Sequence, residues 1–568
     1  MDTLIPLLAK ERNKSGMSFT ESQRRAIEVN GNVLVVAGAG AGKTSTLVER
    51  CVAGLLDFRS PAGLDEILMV TFTEAAASEM KQRIRARLEK ELDSARDEAS
   101  LLQLEEQRAL LDACHIGTLH SFCLRLIREH AHELALDPQI SVLTEEQAIL
   151  LMDETLDELL RKHYAGETAD SPAVQELIAA QSGGWERAIR DLIFRLHHYS
   201  QTQPDPDEWY QRQLREYRQS EPETWQRWLL DGFRNWRDDW LPELRAQPAE
   251  NDRAHRFMTR LRELGAEPSK ETIQPVLQEI VEVSADWPHG TRKKFHDPIE
   301  EFYKDAAFLN SVANCRNGTD PLKQDWDLAR PQMEAILCLA EEFSKAFASA
   351  KRDQGGLDFH DFEQFALRLL WDNTAAMPRP LAGELRRKFK FVFVDEYQDI
   401  NPAQDRIIRA IRREGRAGNC FLVGDVKQSI YRFRLANPHI FQRYRKDWSL
   451  DPSKGSVISL SDNFRSREML LKFINPVFAA LMREGIGGVT CRKEDELVFA
   501  APETRAPLSV KASPEPRVEV HLRISGKIDE NNDEENSAGA EASDTTDWTG
   551  AEIEARWIAR RLKNLVQE

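Results

Sequence analysis

Short runs of aliphatic and β-branched residues punctuate the chain, and each one stops at glycine or polar residues. Val33 to Val36 (VLVV) gives way to a glycine- and alanine-rich turn and then to a helical pattern from Gly42, Lys43 and Thr44. Ile67 to Thr73 (ILMVTFT) is followed by EAAASEMKQRIRARLEKEL, a helix rich in alanine and paired charges. His115 to Phe122 (HIGTLHSF) reads as a third short strand and turn. The pattern returns in KFKFVFVDEYQDINPAQ from Lys388, in CFLVGD from Cys420 to Asp425, and in VISLSDNFRS from Val457 to Ser466. Continuous apolar runs of this length, bounded by turn residues and separated by helical stretches, predict an α/β fold whose strands are buried on both faces, hence a parallel sheet.

Between about residues 146 and 345 the period is helical throughout and tryptophan is frequent. Trp225 and Trp228 stand three apart and Trp236 and Trp240 four apart, which puts each pair on one helix face and predicts a packed core. This stretch reads as a helical domain inserted into the α/β one. The expected organisation is therefore residues 1–145 and 346–456 as one α/β domain, 146–345 as the insert, and 457–568 as the start of another domain. Within the last part, 526–547 (GKIDENNDEENSAGAEASDTTD) is polar, acidic and nearly free of aliphatic residues, as a loosely ordered connection would be.

A chain of 568 residues needs about two to four cores, and 41% apolar with 30% charged residues fits ordinary globular domains. Seven cysteines without C-x-x-C spacing exclude a zinc finger or disulfide framework and point to a reducing compartment. With no apolar run of membrane-spanning length and no signal-peptide plan at MDTLIPLLAKERNK, a cytoplasmic location and no membrane partner are expected. The net charge of −17 disfavours a general nucleic-acid binder, yet Gly526 to Trp548 holds eight acids against Lys527, leaving about −10 for the rest. Contact with DNA must come from local basic and aromatic patches.

A loop without bulky side chains lets backbone N–H groups close around phosphates, and the helix start behind it adds partial positive charge. Ala37, Gly38, Ala39, Gly40, Ala41, Gly42, Lys43, Thr44 and Ser45 have that form. Lys43 would reach the β and γ phosphates of a nucleoside triphosphate, and the Thr44 hydroxyl would ligate Mg2+. The strict pattern G-x-x-x-x-G-K-[ST] has glycine where this chain has Ala37, so the match rests on its strand, loop and helix setting. Asp395 and Glu396, adjacent carboxylates at the end of a buried strand, are costly to desolvate unless a cation offsets them. Asp395 would hold Mg2+ through water, and Glu396 would orient or deprotonate an attacking water. Gln428, after the CFLVGD strand, stands where a γ phosphate can be sensed. Gln23, on a helix capped by Thr20, can pair with the donor and acceptor edge of adenine, although a lone Gln on a short helix is ordinarily solvated. Ile430 to Lys446 contains no acid, and Arg432, Arg434, Arg443, Arg445 and Lys446 alternate with Tyr431, Phe433, Phe441 and Tyr444. Cations interleaved with rings suit single-stranded nucleic acid. Thr118, His120 and Ser121 could meet DNA phosphates, against the simpler reading of turn capping with His120 packed.

The ordered set FTESQ (19–23), AGAGAGKT (37–44), VTFTEAAASEM (70–80), GTLHSF (117–122), FVDEYQD (393–399), VGDVKQSIYRFR (423–434) and LSDNFRS (460–466) resembles the UvrD/Rep-type superfamily 1 DNA helicases. The resemblance implies a RecA-like P-loop motor domain interrupted by a helical accessory domain, using ATP and Mg2+ on single-stranded DNA and duplex ends. It also implies that Gln23 contacts adenine with Phe464 stacked near it, and that Gln428 and Arg465 contact the γ phosphate. Phe72, Thr73, Thr118, His120, Tyr431, Phe433 and Arg434 fall where the family lines its single-strand track. The long span between His120 and Asp395, with HSFCLRLIREHAHELALDPQISVL and LDFHDFEQFALRLL, is similar to the AddA/RecB branch, motor subunits of helicase–nucleases that process double-strand breaks with a second subunit. The family's later motifs and a nuclease signature have no counterpart before Glu568. The 568 residues are thus expected to carry the first motor half and to turn over little ATP alone. A nucleotide-gated DNA-binding or scaffold module without unwinding activity is the competing expectation.

Overall fold

The computed structural model describes residues 19–57, 61–112, 114–182, 185–315, 318–483, 488–501, 518–521 and 549–567. The chain divides into two compact units, Met1–Pro514 and Glu515–Glu568. In the second, Glu519 pairs with Arg561 on the helix Gly550–Gln567. The acidic stretch 526–547 lies outside the described residues.

The first unit is built on six parallel strands: β1 (Val33–Ala37), β2 (Ile67–Thr71), β3 (His115–Thr118), β4 (Phe391–Val394), β5 (Cys420–Gly424) and β6 (Ser456–Leu460), in the order β6-β1-β5-β4-β2-β3. Every residue of β1, β2 and β5 is buried, as the unbroken apolar runs predict for strands covered on both faces. Alternate residues enter two cores. Leu34, Val36, Val70, Val394 and Leu422 pack on one face, and Val33, Val35, Met69, Phe393 and Val423 on the other. The chain leaves β1 for β2 on one side and later returns to β6 on the other, so the order reverses at β1. Ligand crevices form at such a point, beyond the strands' carboxyl ends.

Three expectations change in detail. The strand from 456, expected to open a new domain, pairs with β1 along its whole length, Val33 opposite Ser456 to Ala37 opposite Leu460. The second strand stops at Thr71 because Thr73 caps the next helix, accepting from the Ala76 N–H. The turn expected after β3 is a helix, Leu119–Glu129, capped by Thr118.

Between β3 and β4 the chain is almost entirely helical, from Glu145–Ala165 to the 33-residue helix Pro321–Asp353. Two separate cores hold this region, one around Leu156, Ile193 and Phe343, the other around Phe233, Phe257, Leu277 and Phe302. Trp236 stacks on Phe302 at 5.1 Å and Trp225 meets buried Trp326 edge-on at 5.1 Å. Trp228, expected to share the buried face with Trp225, is 61% exposed. Residues three apart sit about 60° apart around a helix, enough to carry the second ring past the margin of the core.

Candidate functional site

Helices and loops at the carboxyl edge of the sheet bring the candidate residues together. We label α1 (Glu21–Glu28), α2 (Lys43–Leu55), α3 (Glu74–Ser94), α4 (Leu119–Glu129), α5 (Phe359–Leu370), α6 (Pro402–Ile411) and α7 (Pro438–Leu450).

β1 runs directly into the loop. Ala37 is the last strand residue and is fully buried, and in the turn that follows Gly38 and Ala41 are buried too, so Ala39, Gly40 and Gly42 are its open positions. Gly40 and Gly42 have φ of 72° and 78°, which glycine adopts without strain. A Cβ at Gly40 would stand 2.6 Å from Arg465 Cβ, and one at Gly42 2.7 Å from Gln23 Nε2. Lys43, Thr44 and Ser45 open α2, whose first turn holds no acid, an arrangement that favours an anion.

Two outer segments clamp this loop. Gln23 is 4% exposed, not solvated. Its Nε2 donates to the Ala41 carbonyl at 3.1 Å, and its Oε1 accepts from the Thr20 N–H at 3.0 Å in a capping box. On the other side the Phe464 N–H donates to the Gly40 carbonyl at 2.8 Å, and Asn463 Nδ2 donates to the Ala39 carbonyl at 2.6 Å. Asn463 Oδ1 also accepts from the Arg465 N–H at 2.9 Å, which sets Phe464 and Arg465 over the loop.

Lys43 Nζ donates to both oxygens of Glu396, at 2.9 and 2.7 Å, although 353 positions separate them in sequence. Glu396 has left-handed backbone, φ 49° and ψ 45°, at the sharp exit from β4 into the turn Tyr397–Asp399. A non-glycine residue there costs on the order of 1 kcal/mol, a strain typical of functional positions. Asp395 accepts from the Glu396 N–H at 3.0 Å. Burial first, and then the Glu396 charge, push its carboxyl up to about 6. The same two causes push the Asp399 carboxyl up to about 6. Asp399 Oδ1 is buried and has no hydrogen-bond partner among the described residues.

Gln398, 1% exposed, joins two strand ends. Its Nε2 donates to Glu396 Oε2 at 2.9 Å and to Asp399 Oδ2 at 3.0 Å, while its Oε1 accepts from the Asp425 N–H at 2.9 Å. Asp425 in turn accepts from Gln428 Nε2 at 2.8 Å and from Lys427 Nζ at 2.9 Å. One chain of hydrogen bonds thus runs from Glu396 to Gln428.

Beyond Gln428 the rings collect. Phe72 stacks on Tyr431 at 4.8 Å, and Tyr431 stands 5.8 Å from Phe433, which is 75% exposed. The Arg434 guanidinium lies over both rings, 5.2 Å from Tyr431 and 5.7 Å from Phe433. The rest of the basic and aromatic run does something else. Phe441 and Tyr444 are buried in the core under α7, Arg443 pairs with Asp405, and Arg445 with Glu494 and Asp495. Ile440, Phe441, Tyr444 and Trp448 recur at helical spacing, and that periodicity outweighs the cation pattern.

Thr73 and Thr118 act as helix caps, and Thr118 Oγ1 also donates to Glu74 Oε1 at 2.8 Å. His120 is not simply packed. Its Nε2 lies 3.0 Å from Oε1 of buried Glu363. Sequence reasoning singled out neither Gln398, Asp399, Asn463 nor Glu363, although each lies inside a quoted stretch. The available signal was a polar residue at a position that must be buried next to a strand end.

Among the described residues no group of three or more His, Cys, Asp or Glu could hold a metal by itself. Asp395 and the Thr44 hydroxyl are hard oxygen donors of the kind Mg2+ takes when substrate phosphates and water complete its shell. A carboxyl raised by burial suits a nearby cation. No helix among the described residues is long and apolar enough to cross a membrane.

Comparison with known proteins identifies one family over most of this ground. The UvrD/REP helicase N-terminal domain matches residues 19–449. An ATP-dependent helicase/nuclease subunit from Staphylococcus saprophyticus is 34% identical over 88% of this chain and 42% of its own length. The protein of the same name from Oceanobacillus iheyensis is 31% identical over 97% of this chain and 45% of its own. That from Listeria monocytogenes is 33% identical over 86% and 41%. The chain spans less than half the length of these curated relatives.

Proposed function

Because the chain belongs to the UvrD/REP helicase N-terminal domain family, we propose that it is the nucleotide-binding part of an ATP-driven motor that tracks along DNA. Its relatives' name, that of one subunit of an ATP-dependent helicase/nuclease, sets the context. The motor then works beside a second subunit on duplex ends, in double-strand break repair and recombination. The observation that carries this reading is the 2.7 Å pair of Lys43 and Glu396 at the same sheet edge as the ring cluster of Phe72, stacked on Tyr431, and Phe433, tilted against it. A phosphate-binding lysine, a water-activating carboxylate and a base-stacking platform share one sheet edge.

In this reading residues 1–145 and 346 to about 460 form the RecA-like domain, 146–345 the helical accessory domain, and the remainder begins the second motor domain. Gly38 to Gly42 wrap the phosphates, Lys43 and Ser45 contact them, and Arg465 and Gln428 approach the γ phosphate. Gln23 meets adenine by exchanging one of its present amide bonds for the base, with Phe464 stacked near it. Thr44 and Asp395 would hold Mg2+, which would supply charge neutralisation for the phosphates. Lys43 exchanges Glu396 for phosphate, and the released carboxylate orients and deprotonates the attacking water. The bond chain through Gln398 and Asp425 to Gln428 makes the segment 431–434 responsive to the nucleotide, so the rings shift their grip along the bases. Phosphate contacts by Thr73, Thr118, His120 and Arg434 make the grip independent of sequence and sensitive to salt.

Titration of the 568-residue chain with a fluorescent ATP analogue and with labelled oligo-dT tests the assignment. Lys43→Ala should abolish nucleotide binding and spare DNA binding. Loss of both by a variant that still melts cooperatively would break it.

A further inference from the structure

Glu363 is a carboxylate with 2% exposure on α5, and it has no part in the nucleotide site. Asn401 Nδ2 donates to its Oε2 at 2.9 Å, Gln404 Nε2 donates to its Oε1 at 2.6 Å, and His120 Nε2 stands 3.0 Å from the same Oε1. Asn401 and Gln404 also satisfy each other in a capping box at the start of α6. That box occupies their side-chain oxygens, and their amide donors take Glu363 as acceptor, a role a neutral carbonyl would fill as well as a charge. Of the three partners Asn401 is buried and Gln404 half-buried, while His120, the one titratable partner, has 36% of its side chain exposed. Its ring is steadied edge-on by Phe359 at 5.6 Å and Phe362 at 6.5 Å.

From this arrangement we propose that Glu363 is a positioning residue for single-stranded DNA, holding His120 by Nε2 so that Nδ1 meets a backbone phosphate. The inference rests on the reading that His120 lines the strand track. With Nε2–H donating to Glu363, Nδ1 is the ring's remaining polar atom. With a proton on each nitrogen the ring donates twice, from Nε2 to Glu363 and from Nδ1 to a phosphate oxygen. Burial opposes the charged form of the carboxylate, but His120 first, then His360 and the Asn401 amide, hold it below the usual carboxylate range. The phosphate, the imidazolium and Glu363 then form a charge-alternating row. Its buried end is tied through Asn401 and Gln404 to the helix that follows Asp395 and Glu396.

The test uses oligo-dT anisotropy on the 568-residue chain with Glu363→Gln, His120→Ala and the double variant. Each single change should weaken DNA binding about tenfold, the loss of one charge-assisted contact. The double variant should bind no more weakly than His120→Ala alone, and affinity for a fluorescent ATP analogue should not change. Glu363→Asp, which keeps the charge but shortens the reach, should fall between wild type and Glu363→Gln, and serves if Glu363→Gln fails to fold. Wild-type DNA affinity in Glu363→Gln or Glu363→Asp beside a weakened His120→Ala would overturn the positioning role, as would multiplying effects in the double variant. Wild-type affinity in His120→Ala would remove His120 from the track, and the proposal with it.

Discussion

Lys43 and Glu396 satisfy each other, and a third residue decides which way Glu396 faces. Gln398 places an amide donor between the Glu396 and Asp399 carboxylates and keeps its acceptor on the Asp425 N–H. Without that amide the two like charges face each other across a buried gap, and Glu396 loses the contact that fixes it when Lys43 moves to phosphate. The Gln398 side chain bonds Glu396, Asp399 and Asp425 and, among the described residues, no residue of the loop Gly38 to Gly42, so nucleotide affinity should not depend on it. Gln398→Ala should therefore lower the rate of ATP hydrolysis at saturating ATP and oligo-dT by on the order of 10²-fold, the usual worth of a well-placed base. Binding of the ATP analogue should stay within about twofold. Steady-state kinetics beside equilibrium titration separates the two, and a change in affinity alone would assign Gln398 to binding.

At the scale of elements, the stretch from Ile430 to Lys446 shows how one composition serves two purposes. Its first part is a short turn after a strand end, where Phe433 meets Tyr431 and the Arg434 guanidinium and remains 75% exposed. Its second part is α7, where Phe441 is fully buried. Phe433→Ala should weaken binding of oligo-dT by about 1–3 kcal/mol, one stacked base, and leave ATP-analogue affinity and the melting temperature unchanged. Phe441→Ala should do the reverse, costing about 3–5 kcal/mol of stability measured by urea unfolding. The strands and the loop before Lys43 could be read directly, because apolar runs and glycine carry local signals that tertiary context seldom overrides. The division within 430–446 could not be read from charge, since the spacing of Ile440, Phe441, Tyr444 and Trp448 competes with the cation pattern over the same residues. Asp395 and Glu396 were visible as a carboxylate pair, but the bond of Glu396 to Lys43 depends on β5 lying between β1 and β4, an order no local pattern encodes. Gln398, Asn463 and Glu363 escaped for the same reason: a buried amide or carboxylate announces itself only through partners remote in sequence.

For the first unit as a whole, the question is what joins the helical region to the sheet. The joint is polar as well as apolar. Gln364 Nε2 donates to the carbonyls of Gln201 and Gln203 at 2.7 and 2.9 Å, and the Ala403 N–H donates to the Thr202 carbonyl at 2.9 Å. Lys351 pairs with Asp358 and Asp361, both at 2.7 Å. His197 and His198 lie near the end of the helix Arg187–Gln201, which enters this joint. Burial holds the His197 imidazole well below its ordinary range, with Lys351 adding to the effect. Burial, then the charges of His360 and Lys351 opposed by Asp358, lower His198 from 6.5 to about 4. A histidine whose folded pKa is depressed leaves the fold undisturbed while it is neutral in both states. As the pH drops below 6.5 the unfolded chain takes up a proton that the folded joint refuses, so stability declines until the pH approaches 4. The histidine contribution to the melting temperature should therefore fall between about pH 7 and pH 5, against the opposite contribution of Asp395 and Asp399, whose raised carboxyls take up protons in the folded state over the same interval. His198→Asn, which removes the half-buried ring that titrates, should fall less over the same interval. Differential scanning calorimetry at matched ionic strength measures both, and equal decrements in the two proteins would place the acid sensitivity elsewhere than the joint.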